Sequence, residues 1–240
     1  MKLYKYRSNS KETLERDLNS IANNQVYYSK LRNLNDPFEG KYLYNGHLFN
    51  LSCFIFEHFK SDLKIKNHSK KNDIDKCKNS NILLEEFISR IGDFGVFSLG
   101  KVQDSALMWS HYANSHEGFC IEYNLNKLKT KENIIFDVSY VDSIPVLLRS
   151  DINSEKKILN KIFATKSSIW RYEKEVRLIS FSPGLHNINQ DAIESICFGV
   201  NSSKDFINYV VEKLSHMELN FYIMTQKEHS YELKKEKLCL

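Results

Sequence analysis

Glycine and proline are scarce in this sequence, with eight and three residues among 240. So few chain-breaking residues leave little material for long flexible linkers, and no low-complexity tract or internal repeat is visible. We therefore expect residues 1–240 to form a single domain. Within it, the polar stretch around 60–80, rich in Lys and Asn, is the expected insertion.

Cysteine usage argues against two kinds of stabilising site. The chain has five cysteines, an odd number, and it has no CxxC pair or short Cys/His cluster. This pattern argues against a disulfide framework and against a structural zinc site. Cys120 and Cys197 lie inside apolar runs, where free cysteine is expected to be a small buried hydrophobe. We expect no metal as a cofactor.

Long apolar runs are also absent. No segment approaches the roughly 18 apolar residues of a transmembrane helix, and the opening stretch MKLYKYRSNS lacks the apolar core of a signal peptide. The net charge of +4 is too small to indicate nucleic-acid binding by itself. We expect a soluble, cytoplasmic protein without a membrane partner. No GxGxxG, P-loop or HExxH motif supports a kinase, Rossmann dehydrogenase or zinc protease.

The pattern of predicted elements is mixed. Hydrophobic alternation and β-branched or aromatic content predict strands at 2–7, 25–31, 95–101, 119–124, 134–143, 172–181, 192–200 and 220–226. Helical spacing and capping residues predict helices at 10–21, 81–92, 104–118, 152–168 and 202–214. Since these elements follow no regular βαβ repeat, the α+β class is favoured over a doubly wound parallel sheet.

The stretch WRYEKEVRLI places Glu173, Glu175 and Arg177 at every second position. In a strand, such residues share a face and lie about 7 Å apart. Two neighbouring carboxylates are unfavourable unless a cation or a substrate offsets them. The row is therefore either a compensated charge row on a solvated edge strand or the floor of an active site. Trp170, just upstream, supplies an aromatic wall for the second interpretation.

The stretch MWSHYANSHEG predicts a helix with Trp109 and Tyr112 on one face. Core packing is the simpler explanation for these aromatic residues. His111 lies on the other face and His116 lies beyond the helix. Both are candidate site residues, and the sequence does not assign either of them to the core. No serine or cysteine beside them forms a recognisable catalytic triad.

The first strand, LYKYR, ends in an aromatic residue and a guanidinium, Tyr6 and Arg7. Arginine at a sheet terminus can bind a pyrophosphate through two parallel hydrogen bonds. The alternative is a surface salt bridge between Arg7 and either Glu12 or Asp36.

The stretch NLNDPFEG is predicted to be a turn, since Pro37 disfavours helix at the residue before it. Asp36 and Glu39 bracket the turn and are further candidate site residues. Asp before Pro commonly bonds its own backbone, so a purely structural role for Asp36 stays open.

These four pieces occur in one order: LYKYR, then VYYSKLRNLNDPFEG, then FSLGK…ALMWSHYANSHEGFCIEY, then WRYEKEVRLI. Together they resemble an uncharacterised bacterial family, the domain of unknown function DUF2971. The resemblance covers most of the chain except about residues 41–90. It implies little biochemistry by itself.

A second resemblance, carried by YEKEVRLI, is to ADP-ribosyltransferases of the Arg–Ser–Glu type. Those enzymes place an arginine on the first strand, a serine on a middle strand and a Glu-x-Glu pair on a later strand. The matching residues here are Arg7, Ser98, Glu173 and Glu175, with Ser29 as a rival for the serine. The resemblance implies a split antiparallel or mixed sheet with flanking helices. It also implies that Glu175 is catalytic and that Glu173 positions the acceptor.

The implied activity is consumption of NAD, by ADP-ribosyl transfer or by NAD glycohydrolysis. Cleavage of the nicotinamide–ribose bond passes through an oxocarbenium-like state, which a fixed carboxylate stabilises. Arg7 would anchor the pyrophosphate, and Tyr6, Tyr112 or Trp170 would stack on nicotinamide. Arg177 would be the local counter-charge.

Two other functions stay open. A nuclease or nucleic-acid-binding effector would use His111, His116 and the carboxylates, with the Lys-rich segment 60–78 contacting phosphates. A non-catalytic sensor or adaptor of a defence system would recruit a partner through exposed aromatic residues. For the NAD-consuming enzyme, the family resemblance implies a bacterial toxin or anti-phage defence setting. Its partners would be a protein or nucleic-acid acceptor and an antitoxin or other defence-system protein.

Overall fold

The computed structural model describes residues 1–45, 94–128, 133–148, 151 and 154–239. The helix expected at 81–92 and the insertion expected around 60–80 lie outside these residues. Within the described ranges, no helix combines the length and apolar content needed to cross a membrane.

Strands make up most of the described elements. They are β1 (Lys2–Arg7), β2 (Gln25–Lys30), β3 (Leu43–Asn45), β4 (Gly95–Gly100), β5 (Phe119–Asn124), β6 (Asn133–Asp137), β7 (Ser139–Val141), β8 (Val146–Leu148), β9 (Thr165–Ser167), β10 (Glu175–Ser180), β11 (Gly184–Asn187), β12 (Ile193–Phe198), β13 (Asn220–Gln226) and β14 (Leu233–Lys237). The described helices are α1 (Lys11–Ala22), α2 (Ala106–Tyr112), α3 (Leu125–Leu128), α4 (Glu155–Phe163) and α5 (Lys204–Lys213), with 3₁₀ segments at Leu31–Asn33 and Ser168–Glu173.

Ten of these strands form one sheet. Its main path runs β11-β2-β4-β1-β5-β12-β13-β14, and β10 lies between β4 and β6. Its pairs are antiparallel except for the parallel pair of β12 and β13. Two small parallel pairs, β3 with β8 and β7 with β9, lie outside it. A mostly antiparallel sheet with packed helices confirms the expected α+β class.

One edge of β4 is shared by two strands that diverge. Tyr4 of β1 pairs with Gly100 at one end of β4, and Ser29 of β2 pairs with Val96 towards the other end. Between these points no described strand pairs with β4 on this edge. The opposite edge is paired with β10 over its whole length. The sheet is therefore split between β1 and β2.

Helices cover both faces of the sheet. On one face, α1 buries an apolar stripe that ends at Ile21 and packs with α5 over β1, β4, β5 and β12. On the other face, α4 packs over β4, β6 and β10. Also on that face, α2 packs over β1, β5 and β12 through the fully buried Trp109. Cys120 and Cys197 are buried beneath α2, as their apolar runs predicted.

Four elements differ clearly from their expected bounds, and three of them lie between residues 134 and 181. The strand expected at 172–181 begins only at Glu175, because residues 168–173 form a 3₁₀ segment and Lys174 has a φ of 44°. The helix expected at 152–168 ends at Phe163, and β9 pairs with β7 instead of continuing it. The strand expected at 134–143 is interrupted at Val138. In each case tertiary pairing outweighs the local pattern.

Helix α2 is shorter than the expected 104–118. Ser105 caps the helix, since its hydroxyl accepts a hydrogen bond from the backbone N–H of Met108 at 3.4 Å. The helix ends at Tyr112, and residues 114–116 all have positive φ, a backbone conformation that cannot continue a right-handed helix.

Candidate functional site

A buried network of charges joins three of the stretches that stand out in the sequence. At its centre lies Arg177 of β10, which is 1% exposed. Its guanidinium donates to the two oxygens of Glu175 at 2.9 and 3.0 Å and to those of Glu39 at 2.8 and 2.6 Å. The fifth N–H donates to the carbonyl of Phe163 at 2.7 Å. Every donor of Arg177 is therefore used. Arg177 is the predicted counter-charge of Glu175, and it binds Glu39 as well.

The Asn-Asp-Pro-Phe-Glu turn brings Glu39 into this network. One oxygen of Asp36 accepts a hydrogen bond from the backbone N–H of Phe38 at 2.9 Å, which is the self-capping expected of Asp in a turn. The other oxygen accepts from the indole N–H of Trp170 at 2.9 Å. Trp170 therefore holds the turn against the segment before β10. Asp36 shapes the turn, and Glu39 reaches the site.

A second buried cation, Lys166 of β9, completes the network. Its Nζ donates to Glu173 at 2.6 Å and lies 3.4 and 3.5 Å from Glu39 and Glu175. The other oxygen of Glu173 accepts from the hydroxyl of Tyr112 at 2.5 Å. Three carboxylates thus face two cations, which leaves a formal charge of −1. None of these five charged side chains is more than 6% exposed.

Opposite charges keep Glu175 and Lys166 ionised. Burial alone would raise the pKa of Glu175, but the charges of Arg177 and Lys166 outweigh it and lower the pKa to about 2. The pKa of Lys166 is raised because Glu175 and Glu173 outweigh the effect of burial. Burial and the bond to Glu173 raise the pKa of Tyr112, so its hydroxyl remains a donor.

A cavity of about 480 Å³ opens at this network, in the split between β1 and β2. Arg7, Ser98 and Glu175 all line it. By strand alternation, Ser98 and Glu175 belong to the face that carries α4, and Arg7 belongs to the face that carries α1. The three residues share one cavity because the split lets the cavity pass between the two faces.

The α1 side of the cavity wall is cationic. Arg7 Nε lies 3.4 Å from a carboxylate oxygen of Asp17 on α1. The other oxygen of Asp17 accepts from Arg16 at 3.1 and 3.3 Å. Lys5, on the same strand face as Arg7, donates to the carbonyl of Ser98 at 2.8 Å. Two arginines therefore share one carboxylate on this side, and Lys5 adds a further basic group.

Much of this site lies in a stretch that matches a family model. The model of a family described as a protein of unknown function, DUF2971, matches residues 108–178, a range that holds Tyr112, Lys166, Glu173, Glu175 and Arg177. Over residues 108–178 the chain is therefore similar to the DUF2971 family. No curated protein and no solved structure matches the chain. Glu39 and the cationic wall lie before the DUF2971 range, so the cavity is built from both parts of the chain.

The aromatic candidates are divided between cavity and core. Tyr112, inside the DUF2971 range, lines the cavity beside Glu173. Tyr6 contributes to the wall but is only 5% exposed, because its ring packs edge-on against Trp109 with 5.2 Å between ring centroids. Trp170 is not part of the wall. Of the three rings predicted to stack on a ligand, Tyr112 is therefore the one best placed to do so.

The two histidines of the DUF2971 range lie away from the cavity. His111 is exposed and its Nδ1 lies 2.8 Å from the hydroxyl of Tyr172. Burial lowers the pKa of His116, whose Nε2 lies 3.2 Å from the hydroxyl of Ser110. Neither histidine lines the cavity wall. Within the described ranges, no three His, Cys, Asp or Glu side chains group as a metal site would need.

The remaining candidates on the β1 and β2 strands are both in the wall. Ser29 lines the cavity from β2, opposite Val96 of β4. Arg7 forms a salt bridge, but its partner is Asp17 and neither of the two carboxylates considered from the sequence. The reason is that α1 folds back over β1 and brings its second turn, with Asp17, onto the end of that strand.

Two central cations were missed by reasoning from sequence. Lys166 fell inside a predicted helix, and nothing local indicates that Thr165–Ser167 leave the helix to pair with β7. Lys5 could have been found, because alternation along the predicted first strand already places it on the same face as Arg7.

Proposed function

We propose that the cavity binds NAD and cleaves its nicotinamide–ribose bond, with transfer of ADP-ribose to an acceptor or to water. The observation that carries the proposal is that Arg7, Ser98 and Glu175 line one cavity. These residues occur in the chain order that ADP-ribosyltransferases use, and we take the split between β1 and β2 as the counterpart of their split sheet. The volume of about 480 Å³ falls within the range of roughly 300–1,000 Å³ of small-ligand pockets.

The carboxylate network supplies negative potential where the bond breaks. Departure of nicotinamide leaves positive charge on the ribose. The network of three carboxylates and two cations carries a formal charge of −1, and Glu175 stays ionised since its pKa is about 2. Ser98 lies beside Glu175 and helps to lower that pKa. A fixed negative charge in a buried site stabilises a developing cation more strongly than it would in water.

The cationic wall suits the other half of the ligand. Arg7 and Arg16 share Asp17, and Lys5 has no carboxylate within ion-pair distance among the described residues, so this side carries an excess of positive charge when Lys5 is protonated. Arginine binds phosphate oxygens through directed, charge-assisted hydrogen bonds. NAD carries an anionic pyrophosphate and a cationic nicotinamide ring, so it matches both sides of the cavity. Glu173 is the proposed contact for the acceptor, and Tyr112 is the proposed stacking partner of nicotinamide.

The test is nicotinamide release from NAD, measured by chromatography for the native protein and for Glu175→Gln. Glutamine keeps the size of the side chain, and Arg177 keeps its pair with Glu39, so the fold is expected to persist. We expect release to fall by about a hundredfold or more, the scale of losing one group that stabilises transition-state charge. Circular dichroism and an unfolding curve check that the variant is folded.

Glu122→Gln is the matched control. Glu122 is also buried and ion-paired, with Lys2 and Lys235, but it does not line the cavity. Its variant should keep nicotinamide release while losing stability. Equal release by the native protein and Glu175→Gln would contradict the proposed role of Glu175. Failure of the native protein to bind or cleave NAD would overturn the proposal as a whole.

One observation favours a second candidate, a non-catalytic nucleotide sensor. Both oxygens of Glu175 are bound by Arg177, and both oxygens of Glu173 are bound by Lys166 and Tyr112. Neither carboxylate is therefore free to act as a general acid or base before a ligand rearranges these bonds. Calorimetric binding of NAD by the native protein without any nicotinamide release would favour the sensor over the enzyme.

A further inference from the structure

Lys5 is a cation in the cavity wall without a counter-ion. Its Nζ donates to the carbonyl of Ser98 at 2.8 Å and lies 5.5 Å from the centre of the Phe97 ring. Among the described residues, no carboxylate lies within the 4.0 Å of an ion pair with Lys5. An ammonium group has three N–H donors, so two are left for another partner. The amine occupies the split, where β4 has no strand on that edge.

Arg7 is also short of acceptors. It follows Lys5 by two residues on the same strand face, at a spacing of about 7 Å. Its Nε is buried and has no hydrogen-bond partner. The nearest carboxylate, that of Asp17, lies at 3.4 Å and is shared with Arg16. Two like charges side by side are unfavourable unless an anion joins them.

We propose that Lys5 and Arg7 together form a subsite for a phosphate-type oxyanion, and that Lys5 takes up a proton when the anion binds. The inference deepens the proposed function by naming the groups that hold the pyrophosphate. It rests on that function only in treating the cavity as a ligand site. Burial and the neighbouring Arg7 lower the pKa of Lys5 to about 7, and a bound anion would raise it again.

Other charged or titratable groups also line the cavity around Lys5. They are Tyr4, Tyr6, Arg7, Arg16, Asp17, Tyr27, Glu39, Tyr112, Tyr123, Lys166, Glu173, Glu175 and Arg177. Glu175 stays ionised above a pKa of about 2, and burial raises the pKa of Tyr123 so that it stays neutral. Lys166 has a raised pKa and stays charged. Lys5 is therefore the group in this set whose pKa is shifted into the neutral range.

The experiment measures binding of two probes by calorimetry at pH 6, 7 and 8, in pairs of buffers that differ in ionisation enthalpy. The probes are ADP-ribose, whose pyrophosphate is esterified at both ends, and sulfate. Neither probe changes charge over this range. For the native protein, affinity should fall about tenfold from pH 6 to pH 8, because the protonated fraction of Lys5 falls by that factor. Proton uptake should approach one per anion bound at pH 8.

Three variants separate the role of Lys5 from a general charge effect. Lys5→Arg keeps the positive charge but cannot lose its proton, so binding should persist, become flat with pH and take up no proton. Lys5→Met should bind at least about a hundredfold more weakly than the native protein at pH 6, and its affinity should also be flat with pH. Lys11→Met removes an exposed lysine of α1 that does not line the cavity. It should behave like the native protein.

The outcomes distinguish this inference from the proposed function. If the protein binds sulfate and ADP-ribose with proton uptake but does not cleave NAD, the result supports the subsite and contradicts the proposed NAD cleavage. Binding with the same pH dependence in Lys5→Arg and the native protein overturns the inference. The inference is also overturned if neither ADP-ribose nor sulfate binds to the native protein.

Discussion

At the scale of single residues, the stability of the site depends on the small number of cations that pair with its carboxylates. Lys166 is the only cation besides Arg177 within ion-pair distance of Glu173, Glu175 or Glu39 among the described residues. Removing one partner of a buried ion network leaves uncompensated charge in surroundings of low polarity. The stability of the site is therefore expected to be more sensitive to Lys166 than to any surface lysine.

We predict that Lys166→Met destabilises the protein by about 3–5 kcal/mol, the usual effect of breaking a buried ion pair. Methionine has a similar length but no charge, so it leaves three carboxylates around Arg177 alone. The measurement is the free energy of unfolding in urea at pH 7. Lys127→Met is the matched control, because Lys127 pairs with Asp191 at the surface, where ion pairs contribute little. Similar losses in both variants would show that the network is not the cause.

At the scale of elements, Lys174 decides where β10 begins. Its φ of 44° lies in the left-handed region, and it separates the 3₁₀ segment that ends at Glu173 from the strand that starts at Glu175. This bend lets two glutamates of a Glu-x-Glu sequence approach Lys166 from different elements. They do not project from one strand face, as simple alternation had predicted.

We predict that Lys174→Gly leaves stability unchanged or raises it by up to about 1 kcal/mol, because glycine adopts positive φ without a Cβ clash. The side chain of Lys174 is exposed, so its removal loses little packing. Lys174→Val should destabilise, since a β-branched residue fits this region poorly. The control is Lys157→Gly in the first turn of α4, which should cost up to about 1 kcal/mol. Thermal unfolding of the three variants checks this, and a loss in Lys174→Gly equal to that in Lys157→Gly would rule it out.

Elements with a clear local pattern could be predicted from the sequence. The alternation of β1, the amphipathic spacing of α1 and the apolar runs of β5 and β12 all specify their elements without help from distant residues. Short strands such as β9 and β14 could not be predicted. Lys234, Lys235 and Lys237 give β14 a polar pattern, and only its pairing with β13 makes it a strand.

At the scale of the whole molecule, the buried charges make stability depend on pH. The folded-state pKa of Glu175, about 2, lies below the ordinary value of about 4.3. The unfolded state therefore binds more protons between these values, so stability is present above about pH 4.5 and is lost as the pH falls towards 2. For Lys5 the folded-state pKa of about 7 lies below the ordinary value of about 10.4. The unfolded state again binds more protons, so stability rises as the pH increases above 7.

We predict an acid loss of stability that is smaller in Glu175→Gln and an alkaline rise that is absent in Lys5→Met. The measurement is the free energy of unfolding in urea from pH 3 to pH 9. Glu228→Gln, at a side chain that is 90% exposed, should follow the native curve at both ends. An acid slope that is the same in Glu175→Gln and the native protein would contradict the pKa assigned to Glu175.

The sequence by itself determined which residue types are available and in what order: the Tyr-Arg strand, the Asp-Pro turn and the Glu-x-Glu-x-Arg run. It also determined the local elements whose apolar periodicity is strong. Tertiary structure alone decided that Arg177 binds Glu39, 138 residues away along the chain. It also decided that Lys166 lies in a strand and not in the predicted helix, and that β1 and β2 diverge to open a cavity. The physical reason is that a buried charge selects its partner by position in space, and local sequence pattern carries no information on which distant carboxylate arrives there.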